Sequence, residues 1–103
     1  VSKDTPGFIF NYLLIPWHLN AIRLLEKGLA SAEEIDKSMT VGLNHPIGPL
    51  ALADFNGIDV IYMIARAMYE ETKDLQFAPP TLMKRMVTAG LLGRKAGMGF
   101  YEY

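Results

Sequence analysis

Between Phe8 and Leu25 the chain is apolar almost without interruption, broken only by Asn11, Pro16, His18, Asn20 and Arg23. A helix built from such a segment has no polar face to turn to water, so it must be central, with other elements packed on several sides. The interruptions are too frequent for a membrane span, and the basic start and small-residue cleavage site of a secretory signal are missing. Asp4 and Thr5 are good N-cap residues and Pro6 suits a first turn. Together they predict a helix running to Lys27, with Gly28 as its stop. Pro16 predicts a kink, and Arg23, Glu26 and Lys27 are expected to emerge into solvent.

The remaining segments also read as helices. Ser31-Ala-Glu-Glu34 is a capping-box pattern that opens a short helix through Ile35, Met39 and Thr40. Two Gly and two Pro within Gly42–Pro49 end it and force a shaped loop, after which Pro49 suits the first turn of a third helix. Asn56-Gly57 breaks or bends that helix. Ile58, Ile61, Tyr62, Ala65, Met68 and Tyr69 then recur at three- and four-residue spacing. Glu70 to Asp74 reads as a charged connection. Pro79-Pro80 opens a last helix, with Leu82, Met83, Met86 and Val87 inward and Gly90 as its stop, and the tail beyond it reads as irregular. No alternating run is long enough for a sheet, so the fold class is all-α: residues 1–103 form a single helical, bundle-like domain around a long central kinked helix.

Composition narrows the function classes. The 103 residues carry 10 basic and 11 acidic side chains, a net charge of -1 without long blocks of one sign, so a nucleic-acid partner is not expected. The absence of cysteine excludes disulfides, thiolate catalysis and cysteine-ligated metal, and neither His has carboxylates at ligand spacing, so no metal site is expected. Half of the residues are hydrophobic, which predicts an exposed apolar patch and hence a second copy, a neighbouring domain, or both.

Asn11 is the strongest candidate for chemistry. An amide buried in an apolar run without partners costs about 1 to 3 kcal/mol, so it either pins the helix to a neighbour or is reserved for a ligand. Its NH2 group suits polarising a ketone oxygen. His18 follows seven residues later, on nearly the same face and about 10 Å along the axis, too far to touch Asn11. It reads as a hydrogen-bonded core group, and His45 as a turn-packing residue. The loop around Pro46, Ile47, Leu50 and Leu52 lines a groove for an acyl chain or is a packed helix connection. Arg94 and Lys95 read either as contacts to phosphates or another domain's carboxylate, or as solvated bases. Gly97-Met-Gly99 lacks the third Gly, the preceding strand and the following helix of a dinucleotide fingerprint.

Three separated motifs carry a resemblance. Pro6-Gly-Phe-Ile-Phe-Asn11-Tyr-Leu-Leu-Ile-Pro16, Asn44-His-Pro-Ile-Gly-Pro-Leu-Ala-Leu-Ala-Asp54 and Gly93-Arg-Lys-Ala-Gly-Met-Gly-Phe-Tyr101 resemble, in the same order, segments of the C-terminal domain of the 3-hydroxyacyl-CoA dehydrogenases. The resemblance covers essentially the whole chain and implies the helical C-terminal domain type of 6-phosphogluconate dehydrogenase-like proteins. It further implies an N-terminal doubly wound domain, on another part of the enzyme, that binds NAD and carries a His–Glu base. Asn11 matches the family's Asn that approaches the substrate's C3 oxygen.

On that resemblance the chain is expected to complete the acyl-CoA cleft and dimerise within a cytoplasmic (S)-3-hydroxyacyl-CoA dehydrogenase, of the 3-hydroxybutyryl-CoA type, and to be inactive alone. Tyr12 and Asn20 stand where many members have Arg and Glu, so an interdomain or subunit ion pair is expected to be absent. Two rival readings remain: a sibling dehydrogenase acting on a sugar acid or carnitine, and a non-catalytic helical dimerisation module.

Overall fold

The structure is a computed structural model and describes residues 6–103; the expected caps Asp4 and Thr5 lie outside the described residues. Five helices follow one another: α1 (Pro6–Glu26), α2 (Ala32–Gly42), α3 (Pro49–Asn56), α4 (Ile58–Thr72) and α5 (Thr81–Thr88). Short 3-10 turns cover Leu75–Phe77 and Arg94–Ala96. Among the described residues there is no strand, only isolated bridges pairing Gly93 with Met98 and Met98 with Glu102. The tail read as irregular is therefore a small bridged loop.

Helix α1 is central only in its second half. Ile15, His18, Leu19, Ala21 and Ile22 are buried, packed against α2, α3, α4, α5 and the Leu75–Phe77 turn. The first half projects beyond the core, with Ile9 59%, Phe10 62% and Leu13 70% exposed. The expectation that the last turns would emerge holds for Glu26 and Lys27 but not for Arg23. Its guanidinium reaches across to the carbonyls of Leu75, Gln76 and Ala78.

The capping box at α2 forms as the spacing predicts. Ser31 Oγ accepts from the Glu34 N–H at 3.1 Å and the Glu34 carboxylate accepts from the Ser31 N–H at 2.8 Å. Helices α3 and α5 begin at Gly48 and Pro80, whose side chains offer no cap. Distant carboxylates substitute for one. Asp36 of α2 accepts from the N–H groups of Leu50 (2.7 Å) and Ala51 (3.0 Å), and Glu26 of α1 accepts from that of Leu82 (2.8 Å). A Cβ at position 48 would collide with Asp36, so only glycine lets α2 approach the start of α3 this closely.

Gly57, at φ 102°, separates α3 from α4. Helix α4 runs two residues past Glu70, through Thr72, and stops at Lys73 in the left-handed region, so the charged connection is shorter than its sequence suggests. In α5 Met83 and Met86 are buried while Leu82 and Val87 pack partly against the core. The tail is fastened by Asp54, which is fully buried and accepts from the N–H groups of Phe100 (2.9 Å) and Tyr101 (3.0 Å) and from the Tyr103 hydroxyl (2.6 Å). Gly93 and Gly99 pack directly on Asp54, where a side chain would collide with it.

Candidate functional site

An apolar concavity lies between the projecting half of α1 and the loop that joins α2 to α3. Phe10, Leu13, Leu14 and Trp17 form one wall, His45, Pro46 and Ile47 the other, and Leu52 of α3 closes it; the cleft holds about 430 Å³. That volume suits a small-molecule site. The α1 wall follows from helical periodicity, since residues four and seven positions after Phe10 return to its face. This spacing was available in the sequence and is the signal that would have completed the groove.

Three of the four residues expected along an acyl groove, Pro46, Ile47 and Leu52, do line this cleft. Leu50 does not. It is 0% exposed and belongs to the core, because its N–H is drawn inward to Asp36 at the first turn of α3. No carboxylate, lysine or arginine lines the cleft. Trp17 spends its indole N–H on Met39 Sδ at 3.3 Å, and the half-buried His45 ring packs edge-on against Trp17 at 5.6 Å between centroids.

Asn11 stands about 100° around α1 from Phe10 and is not part of the cleft wall. It shares the helix face of Ile15, His18 and Ile22, one turn before the first of these is buried. The premise that the amide is buried among apolar neighbours is therefore corrected: Asn11 is half-buried, because the core ends before reaching it. Its side chain makes no hydrogen bond among the described residues, so the amide remains free to meet a ligand.

His18 is fully buried, with Nδ1 2.9 Å from the Pro49 carbonyl oxygen. A carbonyl only accepts, so Nδ1 carries the proton and donates. Burial pushes the imidazole down to about 4, against smaller upward pulls from the Pro49 carbonyl and Asp36. It is a neutral structural group at neutral pH, as its place in the apolar helix predicts.

The basic residues of the tail are occupied within the domain. Lys95 pairs with Asp59 at 2.7 Å, which together with its hydrogen bond holds that carboxyl below the usual range. The Arg94 guanidinium lies 5.4 Å from the ring centroids of both Phe55 and Tyr103. At the two positions where the motif departs, Asn20 Oδ1 accepts from the Arg23 guanidinium at 2.8 Å and the Tyr12 hydroxyl accepts from Gln76 at 3.3 Å, so each side chain has a hydrogen-bond partner within the domain.

The sequence model of the 3-hydroxyacyl-CoA dehydrogenase C-terminal domain matches residues 7–103. The chain belongs to the 3-hydroxyacyl-CoA dehydrogenase family, as its C-terminal domain. Among curated relatives, a 3-hydroxybutyryl-CoA dehydrogenase of Mycobacterium tuberculosis is 50% identical over 101 residues, covering 98% of this chain and 35% of its own length. Among solved structures, the (S)-3-hydroxybutyryl-CoA dehydrogenase of Ralstonia eutropha superposes with a TM-score of 0.91 at 49% identity, over 96% of this chain and 35% of that one. The 3-hydroxybutyryl-CoA dehydrogenase of Escherichia coli gives a TM-score of 0.89 at 35% identity, over 95% and 21%. The chain thus spans about a third of the length of the curated relatives it matches. In the terms of this family, the helical domain is the part shared here, and its first helix carries the Asn of the opening motif.

Proposed function

We propose that this domain completes the substrate cleft of an NAD-dependent (S)-3-hydroxyacyl-CoA dehydrogenase that interconverts 3-hydroxyacyl-CoA and 3-ketoacyl-CoA, with 3-hydroxybutyryl-CoA as its substrate. The whole enzyme is a cytoplasmic homodimer in which a further, N-terminal domain binds NAD. Among the described residues there is no strand and no glycine-rich strand-to-helix turn of the kind that cradles a pyrophosphate. The nicotinamide supplies the hydride chemistry when bound, and the residues here orient and enclose the substrate.

The observation that carries this reading is the free, half-buried amide of Asn11 on a helix projecting beyond its own core. In an enclosed cleft its NH2 donates to the substrate's C3 oxygen, fixing its direction and stabilising the negative charge that builds there as the ketone is reduced. The apolar cleft beside it, with Pro46, Ile47 and Leu52, takes the acyl portion and excludes water from the reacting carbon.

The test uses the whole enzyme with acetoacetyl-CoA and reduced nicotinamide. Removing one preorganised donor to a developing oxyanion typically costs 10²- to 10³-fold in rate. Asn11→Ala is therefore expected to lower kcat about a hundredfold, a loss near 2.7 kcal/mol. Absent turnover, or a neutral Asn11→Ala, would leave a packing module or an enzyme of another substrate. A sibling activity is the second reading, because a diketoreductase structure superposes at a TM-score of 0.72 with 29% identity over 100% of this chain. Faster turnover of a dicarbonyl without CoA than of acetoacetyl-CoA would favour it.

A further inference from the structure

Asn11 rides on a part of α1 that meets the core only at its edge, through Phe8 and Tyr12. From Gly7 onward Ile15 is the first buried residue of the helix, and Ile9, Phe10, Tyr12 and Leu13 ahead of it are all exposed. Pro16 lies at this boundary. It has no N–H to return to the carbonyl of Tyr12, so the helix loses a rung where it leaves the core. The direction in which the first two turns project must therefore be fixed from outside the helix.

One element does this. The Tyr12 ring meets Phe77 edge-on at 5.1 Å and Phe8 in a tilted contact at 5.8 Å, and Gln76 Nε2 donates to the Tyr12 hydroxyl. Phe77 is fully buried, so Tyr12 leans on a side chain of the core. The turn that carries Phe77 is gripped a second time by α1 itself. Arg23 Nη2 donates to the carbonyls of Leu75 (3.1 Å), Gln76 (3.3 Å) and Ala78 (2.9 Å), while Nη1 donates to Asn20 Oδ1. Tyr12 and Arg23 lie on opposite sides of Pro16. The turn at 75–78 thus spans the proline and touches the helix at both ends.

We propose that this turn is a brace across Pro16, and that Tyr12 is a positioning residue that holds the Asn11 amide in register with the substrate's C3 oxygen. The proposal rests on the reading of Asn11 given above. Catalytic geometry is unforgiving: a misplacement of about 1 Å can cost on the order of a hundredfold. Tyr12 is 40% exposed and sits at the edge of the core, so its loss removes one contact to Phe77 but no buried side chain.

In the whole enzyme, Tyr12→Ala is expected to lower kcat about tenfold while KM for acetoacetyl-CoA stays within about twofold, the signature of lost alignment rather than lost binding. Tyr12→Phe keeps the ring contacts and restores most of kcat. On an Asn11→Ala background, Tyr12→Ala should change kcat less than about twofold, since there is no amide left to misplace. Independently of turnover, amide hydrogen exchange at residues 11–15 should quicken about tenfold in Tyr12→Ala while Leu19 and Ile22 keep their protection. Unchanged exchange, unchanged kcat, or a tenfold loss that persists in full without Asn11 each overturns the brace. A neutral Asn11→Ala removes the reading of Asn11 instead, and exchange then judges the brace alone.

Discussion

His18 shows how a single side chain makes the joint between two helices pH-dependent. Its protonated Nδ1 supports the carbonyl of Pro49, at the first turn of α3, while Nε2 is buried without a hydrogen-bond partner among the described residues. A second proton would have to go on Nε2, inside the core, which is why burial holds the group down to about 4. The unfolded chain takes up that proton near its ordinary value of 6.5, whereas the folded chain refuses it until about 4. Stability from this residue is therefore complete above pH 6.5 and is lost as the pH falls toward 4, by up to about 3 kcal/mol. His18→Asn retains a donor for the Pro49 carbonyl and removes the titration. Denaturant midpoints measured at several pH values should fall less steeply in this variant than in the parent. Carboxylates such as Glu34 and Asp59 titrate in both proteins, so the difference between the two curves isolates His18. Parallel curves would show that His18 is not the group responsible.

At the scale of elements, the helices are joined by carboxylates lent from one to the start of another. Asp36 is buried, and removing it strands the N–H groups of Leu50 and Ala51 together with the Tyr101 hydroxyl, which donates to it at 2.7 Å. Burial, together with the same carboxylate, pushes that hydroxyl up well past the usual tyrosine range. Hydrogen bonds to a charged group are worth about 1.5 to 3 kcal/mol each, so Asp36→Ala is expected to cost at least about 3 kcal/mol in urea denaturation. Ser31→Ala breaks only an exposed cap and should cost about 1 kcal/mol. An Asp36 variant no less stable than the Ser31 variant would refute the assignment of α3's start to Asp36. The two residues also mark what a sequence discloses. The box at Ser31 and Glu34 was legible because both partners lie within one turn, as were the stops at Gly28, Gly57 and Gly90, all at positive φ. Asp36, Glu26 and Asp54 act on residues 14, 56 and 46 positions away, and no local pattern announces such pairings. The site divides in the same way. Pro46, Ile47 and Leu52 could be read from a loop motif, but that Leu50 turns inward, and that Asn11 stands around the helix from the cleft, depends on how α3 and α1 are rotated by their tertiary partners.

For the molecule as a whole, the question is what covers the apolar surface that folding leaves in water. Large apolar side chains stand exposed on the first half of α1, at the end of α2 (Val41, Leu43) and along α3 and α4 (Phe55, Met63), and half of the residues are hydrophobic. Scattered apolar residues are ordinary, but whole helix faces of them mark contact surfaces. A stable dimer contact takes about 800 Å² from each partner, which is about an eighth of the 6174 Å² this domain exposes. A contact of that size leaves most of the surface of the domain uncovered. The domain is therefore expected to self-associate at micromolar concentration, giving a scattering mass near twice that of the chain. The driving force also predicts the response to salt. An interface held by charge pairs weakens as ionic strength rises and the screening length falls to about 3 Å at 1 M, whereas burial of apolar faces does not depend on that length. The net charge of only -1 leaves little repulsion to screen in either case. Light scattering across a salt series should accordingly report a mass that holds or rises. A mass that falls with salt would assign the association to ion pairs, and a strict monomer at every concentration would mean that these faces are covered by the enzyme's other domain alone.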